Sequence, residues 1–447
     1  MKNGNTDQDI ELEVVGDMNE RHAAVLVGGK FRIINEMIMP DGTRSITYSS
    51  TSDLRGYYKN RCLCKKKAAD ETKAVNPLDL WLAHENRRQY QGIVFEPGKE
   101  TPDFYNLWRG FQVEPAPGDV KPYLDHVLNV ICDGDEALFR WVADFLADIF
   151  KNIGGPLQGS ALVTRGRKGT GKGLFVEPLQ AILGCHFIPV TGEQEFLGTF
   201  NSHTAHAIII YANEAFWAGR KTAEGALKAR ITEKTFLMHE KYLPAVSIGN
   251  HAHIIMASNE DWVVPASWDE RRFCVIDVSD NRRNDHGYFD QMFTWCSKPK
   301  NQSALLDFFQ NREITSNLRK PPVTGALVEQ VERSYKSYER FWLECLYSGR
   351  IGGEDTPGPK EFGDWVKSDT IYDEYNTFCN TIKERHPVAK THLTRKLVDM
   401  CPEILRERHT FPDGRVRAVQ LPSINTARAL YNEKVGYERF VNEKVPF

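Results

Sequence analysis

The chain carries no excess of charge of either sign, no long apolar run and no paired cysteine motif. Each absence removes a class of function. Lys and Arg number 57 against 60 Asp and Glu, a net charge of −3 over 447 residues. No whole-chain basicity draws it to nucleic acid, and any polyanion must be held by local patches. The most apolar stretch, residues 207–212, is far shorter than the ~20 residues that span a bilayer. The opening MKNGNTDQDIELE is polar and acidic, so neither a signal peptide nor membrane association is expected. Nine cysteines, at 62, 64, 132, 185, 274, 296, 345, 379 and 401, include no CxxC pair, and Cys62-Leu-Cys64 lacks a partner pair at zinc-site spacing. Reduced thiols in a cytoplasmic protein are the expectation. No internal repeat is present. With 41% apolar and 26% charged residues the chain reads as globular. At roughly 100–200 residues per domain its length allows two to four domains.

What is present divides the chain. Residues 20–118 alternate short β-like runs with turns: Val25–Val27, the paired glycines Gly28-Gly29 and Phe31–Ile34 read as a hairpin. A basic patch follows at Lys65-Lys66-Lys67, strands are expected at Gln91–Glu96 and Phe104–Trp108, and Pro115-Ala-Pro117-Gly118 marks a boundary. From Asp133 to Asn152 the period changes to 3.6, with Leu138, Trp141, Val142, Phe145, Leu146 and Ile149 on one stripe. Asp133 and Asp135 at its start suit an N-cap and dipole complement better than a metal-binding carboxylate pair. Lys320-Pro321-Pro322 is a second break.

Ser160–Thr164 is a short apolar strand running into Gly166-Arg-Lys-Gly169-Thr170-Gly171-Lys172-Gly173, which has the spacing of a P-loop. Glycines there turn backbone N–H groups toward phosphate oxygens, the following helix adds its N-terminal partial charge, and Lys172 reaches the β- and γ-phosphates. Gly173 stands where a Ser or Thr usually ligates Mg²⁺, and Pro178 is expected to bend or end the helix early. A second apolar strand, Ile208–Ala212, ends in Asn213-Glu214, in the manner of a Walker B strand whose acidic end holds Mg²⁺ and polarises water. Glu214 fits the water-activating role, whereas Asn213 is a weaker metal ligand than the usual Asp. A third strand, His253–Ala257, ends in Ser258-Asn259, where an amide senses a γ-phosphate. Arg271 and Arg272, within Asp269–Phe273, suit a finger reaching a neighbouring subunit's nucleotide.

Together these motifs resemble a superfamily 3 helicase of the AAA+ class, and most nearly the helicase regions of phage and virus primase-helicases, poxvirus-type and phage primase-polymerase regions included. The residues that carry it are Gly166–Gly173, Ile208–Glu214, Leu227-Lys228, Ile231-Thr232-Glu233, Lys241, Ser258-Asn259 and Glu270–Phe273, with Asn106–Gly110 upstream. The resemblance covers about residues 120–315. It implies tolerance of a small residue at Gly173, ATP and Mg²⁺ as cofactors, and a hexameric ring that translocates on single-stranded DNA. It also implies a channel hairpin over Glu240–His251, with Lys241, Tyr242 and His251 as strand contacts.

The expected fold class is α/β. A P-loop AAA+ core spans 154–320, preceded by a small α+β domain of unassigned role (1–118) and a helical collar or oligomerisation segment (119–153). In the remaining 321–447, helices at 366–385 and 391–400 and a strand-turn-strand at 404–421 suggest a winged helix. Residues 381–420 hold nine basic against five acidic residues, a local charge of +4, and Lys390, Arg395, Lys396, Arg415 and Arg417 are candidate phosphate contacts. The expected function is an ATP-dependent DNA helicase in phage or mobile-element replication, located in the bacterial host cytoplasm if phage-encoded. The alternatives are an ATP-binding initiator or scaffold with little turnover, or the helicase part of a primase-helicase system. The first 118 residues are too few for an archaeo-eukaryotic primase core and show no paired-carboxylate strand, so a primase or polymerase is expected as a separate partner, or the N-terminal region is a primase remnant.

Overall fold

The computed structural model describes residues 7–40, 44–66, 72–214, 221–241, 243–267, 270–351 and 362–441. Two compact units are present: residues 1–259 with 277–320, and residues 260–276 with 321–447.

The first unit is built around parallel strands Ala161–Arg165 (β1), Phe187–Val190 (β2), Ile209–Asn213 (β3) and His253–Ser258 (β4), ordered β2-β3-β4-β1. These strands read as near-continuous apolar runs because both faces are covered. Leu162, Val163, Ile209, Ile210, Ile254 and Ile255 are fully buried. The register places Asn213 beside Ala257 and Ser258 beside Arg165. Three strands therefore leave the sheet at one edge, and in open parallel sheets that carboxyl-end edge is where ligands bind.

The helix Lys172–Leu183 contains Pro178, where the sequence was expected to bend or end it, and runs on to Leu183. Pro178 leaves Leu174 O without its i+4 donor, and Cys296 Sγ approaches that oxygen at 4.0 Å. One residue on, Phe175 O accepts from Tyr123 Oη at 2.8 Å. The helix Glu136–Lys151 starts as expected, with Asp135 accepting from Ala137 and Leu138 N–H groups at 2.9 and 3.0 Å. The six residues of the expected stripe are buried, and burial extends beyond it to every residue from Trp141 to Phe150. Asp144, buried outside the stripe, accepts from Arg312 Nε at 2.7 Å and from the Thr315 and Ser316 N–H groups.

Toward the N-terminus, strands Arg44–Ser49, Lys30–Ile38 and His22–Val27 form an antiparallel sheet extended by Gln89–Tyr90. Gly28-Gly29 make the turn. Trp81, Leu78, Leu54, Val15 and Met18, from three helices, cover Ile33 and Ala24. The strands expected near 91–96 and 104–108 are shorter, Gly92–Val94 and Phe104–Asn106. The Asn106 side chain takes over the ladder there, accepting from Glu96 and Trp108 N–H groups and donating to Glu96 O.

In the second unit, strands Trp365–Lys367, Gly414–Gln420 and Leu405–Phe411 form an antiparallel sheet with Gly414–Gln420 central. Helices Ser368–Thr381 and Lys390–Met400 accompany it, and Trp342, Tyr375, Leu393, Leu397 and Val419 are buried. No described helix is long and apolar enough to cross a membrane. Cys132, Cys274, Cys296, Cys345, Cys379 and Cys401 are buried.

Candidate active site

The loop after β1 owes its shape to glycine at two positions: Gly169 (φ 78°) and Gly171 (φ 95°) are in the left-handed region. At Gly171 a Cβ would also come within 2.7 Å of His126 Cε1 and 3.0 Å of Phe289 Cε1. Gly171→Ala is therefore expected to cost about 2–3 kcal/mol through left-handed strain and overpacking. A thermal melt of the variant checks this. An unchanged Tm would mean that the close approach to His126 is not enforced.

Lys172 Nζ is directed back into its own loop. It donates to Gly166 O at 2.6 Å, Arg167 O at 2.8 Å and, across the edge of the sheet, Asn259 Oδ1 at 3.0 Å. Asn259 Nδ2 in turn donates to Glu214 Oε1 at 2.9 Å. Three residues separated by 42 and 45 positions in the chain thus form one continuous hydrogen-bonded line at the carboxyl ends of β1, β4 and β3. Burial pulls the Lys172 ammonium below its ordinary pKa, and Asp280 and Glu214 pull it the other way.

Glu214 holds its place by a strained turn: its φ is 53°, unusual for a residue with a side chain, and its N–H donates to Ala257 O at 2.9 Å. Asn213, beside it, ends β3 and is exposed. Thr170 is buried, with its hydroxyl donating to Arg167 O at 2.9 Å. Gly173 has open space around it. Among the described residues no group of three His, Cys, Asp or Glu side chains is placed to hold a metal. The oxygens of Asn213 and Glu214 are the donors at this strand end, and they fit a Mg²⁺ ion held mostly by phosphate and water.

The supports of the loop were not legible in the sequence. His126, fully buried, donates from Nε2 to Gly171 O at 3.2 Å and accepts from Tyr288 Oη through Nδ1 at 2.8 Å. No local pattern marks a histidine 45 residues upstream. At the end of β1, Arg165 forms a two-point ion pair with Asp277, at 2.5 and 2.6 Å, and its carbonyl accepts from Val278 N–H. Arg167 pairs with Asp280 at 3.4 Å. The Asn106–Gly110 segment packs at the sheet's other margin. There Trp108 stacks on His186 with ring centroids 4.5 Å apart, and the Arg109 N–H donates to His186 Nε2 at 2.9 Å.

Arg271 and Arg272 belong to the second unit. They differ: Arg271 is exposed, while Arg272 is partly buried and lies 3.6 Å from the Glu270 carboxylate, which also accepts both arginines' backbone N–H groups. Lys241 is exposed in the turn between antiparallel strands Thr235–Met238 and Val246–Gly249. Tyr242 lies outside the described residues. The expectation that His251 faces a strand is corrected. Its ring packs against Phe95, centroids 5.7 Å apart, with both nitrogens buried. Lys390 pairs with Asp369 at 2.9 Å and Lys396 lies 4.0 Å from Asp399, whereas Arg395, Arg415 and Arg417 are exposed.

Residues 164–272 match a family described as "Family of unknown function (DUF5906)". A DNA primase-polymerase of Nitratiruptor phage NrS-1 is 32% identical over 124 residues, which span 27% of this chain and 17% of the phage protein. The apo structure of the NrS-1 C-terminal region (305–718) is similar over 92% of this chain and 99% of its own, with a TM-score of 0.65 and 16% identity. Its A form has a TM-score of 0.64 over 92% and 98%. The chain therefore shares the fold of that C-terminal region along most of its length, while its sequence similarity to the phage protein is confined to a short segment.

Proposed function

We propose that this chain is an ATP-driven DNA helicase of superfamily 3, with an AAA+ core, acting in phage or mobile-element DNA replication. The observation that carries the reading is the Lys172–Asn259–Glu214 line across the ends of three strands, with β4 inserted between β1 and β3. The similarity to a phage primase-polymerase supports the replication setting.

In this reading the loop N–H groups of Gly166–Gly173 cradle the phosphates, and Lys172 neutralises the charge that builds on the γ-phosphate. Glu214 accepts a proton from the attacking water, and Asn259, hydrogen-bonded to Lys172 and Glu214, keeps base and cation in register. Mg²⁺ would be held by Asn213, Glu214 and the phosphates, and would supply charge neutralisation at the bridging oxygens. Arg271, exposed, suits a finger acting across a homo-hexamer interface better than Arg272, which Glu270 engages within its own chain. Lys241 follows the single strand, and the C-terminal unit is a winged-helix-like duplex or strand contact. A separate primase or polymerase completes the system.

Asn213 favours a second reading from another class, an initiator or scaffold that binds ATP and scarcely turns it over. Phosphate release with and without single-stranded DNA separates the two. A helicase motor is expected to release phosphate and to accelerate several-fold on the strand, and nucleotide binding with negligible release would overturn that reading. Asn213→Asp is expected to change turnover modestly in a working motor. A sharp rise would favour the scaffold for the natural chain.

A further inference from the structure

The hairpin of Leu405–Phe411 and Gly414–Gln420 sorts its side chains by charge. Register pairs Arg408 with Arg417, Arg406 with Val419 and Thr410 with Arg415. Residues paired across antiparallel strands point to the same side. Arg406, Arg408, Arg415 and Arg417 therefore share one face, and all four are exposed. On the other face lie His409 and Phe411, with Trp365 stacked on His409 at 4.6 Å and 10°. The acidic residues nearby are accounted for: Glu407 pairs with Ala418 on the aromatic face, and Asp413 in the turn is bound to Lys367.

Like charges directly opposite on a sheet are destabilising, and Arg408 and Arg417 are directly opposite. Among the described residues none of the four arginines makes an ion pair. Arg408 and Arg415 reach only each other's backbone carbonyls, at 3.2 and 3.4 Å. Arginines two apart on a strand are separated by ~6.8 Å and the two strands by ~4.8 Å, so the guanidinium groups form a zigzag from Arg415 through Arg408 and Arg417 to Arg406. Such a ladder is complementary to a row of anions.

We infer that this face is a nucleic-acid site that grips the phosphate backbone of a duplex. Two of its four arginines, Arg406 and Arg408, stand outside the set of contacts considered above. The duplex is favoured over a single strand by what the face lacks. Sequence-independent single-strand sites combine positive charge with aromatic platforms for unstacked bases, and here the aromatics are on the opposite side, with Trp365 stacked on His409 and Phe411 edge-on to it. Guanidinium forks match phosphate geometry without reading bases. The inference rests on the nucleic-acid partner of the proposed function and not on ATP hydrolysis.

The test is fluorescence anisotropy of the full chain with a labelled duplex of about two helical turns (~20 bp) and a single strand of equal length, without nucleotide, across a salt series. Replacing all four arginines by glutamine is expected to weaken duplex binding at least about tenfold. It should also flatten the slope of log K against log salt by about 3–4, roughly 0.9 per phosphate contact. The double variant Arg408→Gln/Arg417→Gln keeps the test valid if the quadruple variant misfolds. It removes the repelling pair, so it is expected to melt no lower than the parent while the slope flattens by about 2. Unchanged duplex affinity and slope in a folded variant, the result an acidic protein partner would give, overturns the inference. A loss confined to the single strand overturns it too. A chain that releases no phosphate yet loses duplex binding on this substitution leaves the inference standing while the hydrolysis reading falls.

Discussion

Lys172→Ala is expected to lower phosphate release by about 10²–10³-fold, the range found when one preorganised donor to a developing anion is removed. The change has two separable parts. In the proposed motor it deletes the cation that would face the transferred phosphoryl group, and it removes the donors to Gly166 O, Arg167 O and Asn259 Oδ1 that close the loop on itself. Asn259 then keeps only its bond to Glu214. Lys172→Arg keeps charge but not the compact geometry, since a planar fork cannot converge on three acceptors as an ammonium does. It is expected to recover only a small part of the rate. Steady-state release with single-stranded DNA present measures both variants. Full activity in the alanine variant would mean that the loop is a structural turn and that the catalytic reading of the line is wrong.

The parts of the site that the sequence reveals are those fixed by local rules. A strand, a glycine-rich turn and a lysine at fixed spacing specify the loop because left-handed backbone at Gly169 and Gly171 is a local requirement. Apolar strands ending in Asn213-Glu214 and Ser258-Asn259 specify two more corners, because parallel strands buried on both faces read as apolar runs. Asp135 at the start of the Glu136–Lys151 helix is legible for the same reason, a cap being a matter of neighbouring residues. What the sequence hides is long-range. The carbonyl that Pro178 orphans, Leu174 O, is approached by Cys296 Sγ from 122 residues away. The support under Gly171 comes from His126 and Tyr288, 162 residues apart. His251 was misread because a histidine in a hairpin looks like a contact until the ring is seen against Phe95. Arg271 and Arg272 look equivalent as a dipeptide, and only the position of Glu270 distinguishes them.

Acidification is expected to destabilise the first unit by at least about 4 kcal/mol between pH 8 and pH 5. Two fully buried imidazoles account for that much. Burial pushes both His126 and His186 down to about 4 from the ordinary value near 6.5, against partial compensation by hydrogen bonds to the Gly171 and His206 carbonyls. The folded pKa lies below the unfolded one, so between about pH 6.5 and 4 the unfolded chain binds more protons than the folded chain. The stabilisation is complete above pH 6.5 and is lost as the pH falls toward 4. At pH 5 each group forfeits about 2 kcal/mol, against a total of ~5–15 kcal/mol for a typical domain. Geometry explains why the protein cannot adapt. His186 uses Nδ1 as donor to His206 O at 2.7 Å and Nε2 as acceptor from the Arg109 N–H at 2.9 Å, so a second ring proton would point at an N–H donor beneath the stacked Trp108. His206, also pushed down to about 4, acts in the same direction. Urea unfolding at the two pH values, followed by far-ultraviolet circular dichroism, measures the loss. His186→Gln is expected to lower stability at pH 8 yet flatten its dependence on pH. Equal unfolding midpoints at pH 8 and pH 5 for the parent chain would show that these imidazoles do not remain neutral in the fold. In that case the contact between His126 and the Gly171 carbonyl would not be held by a neutral ring.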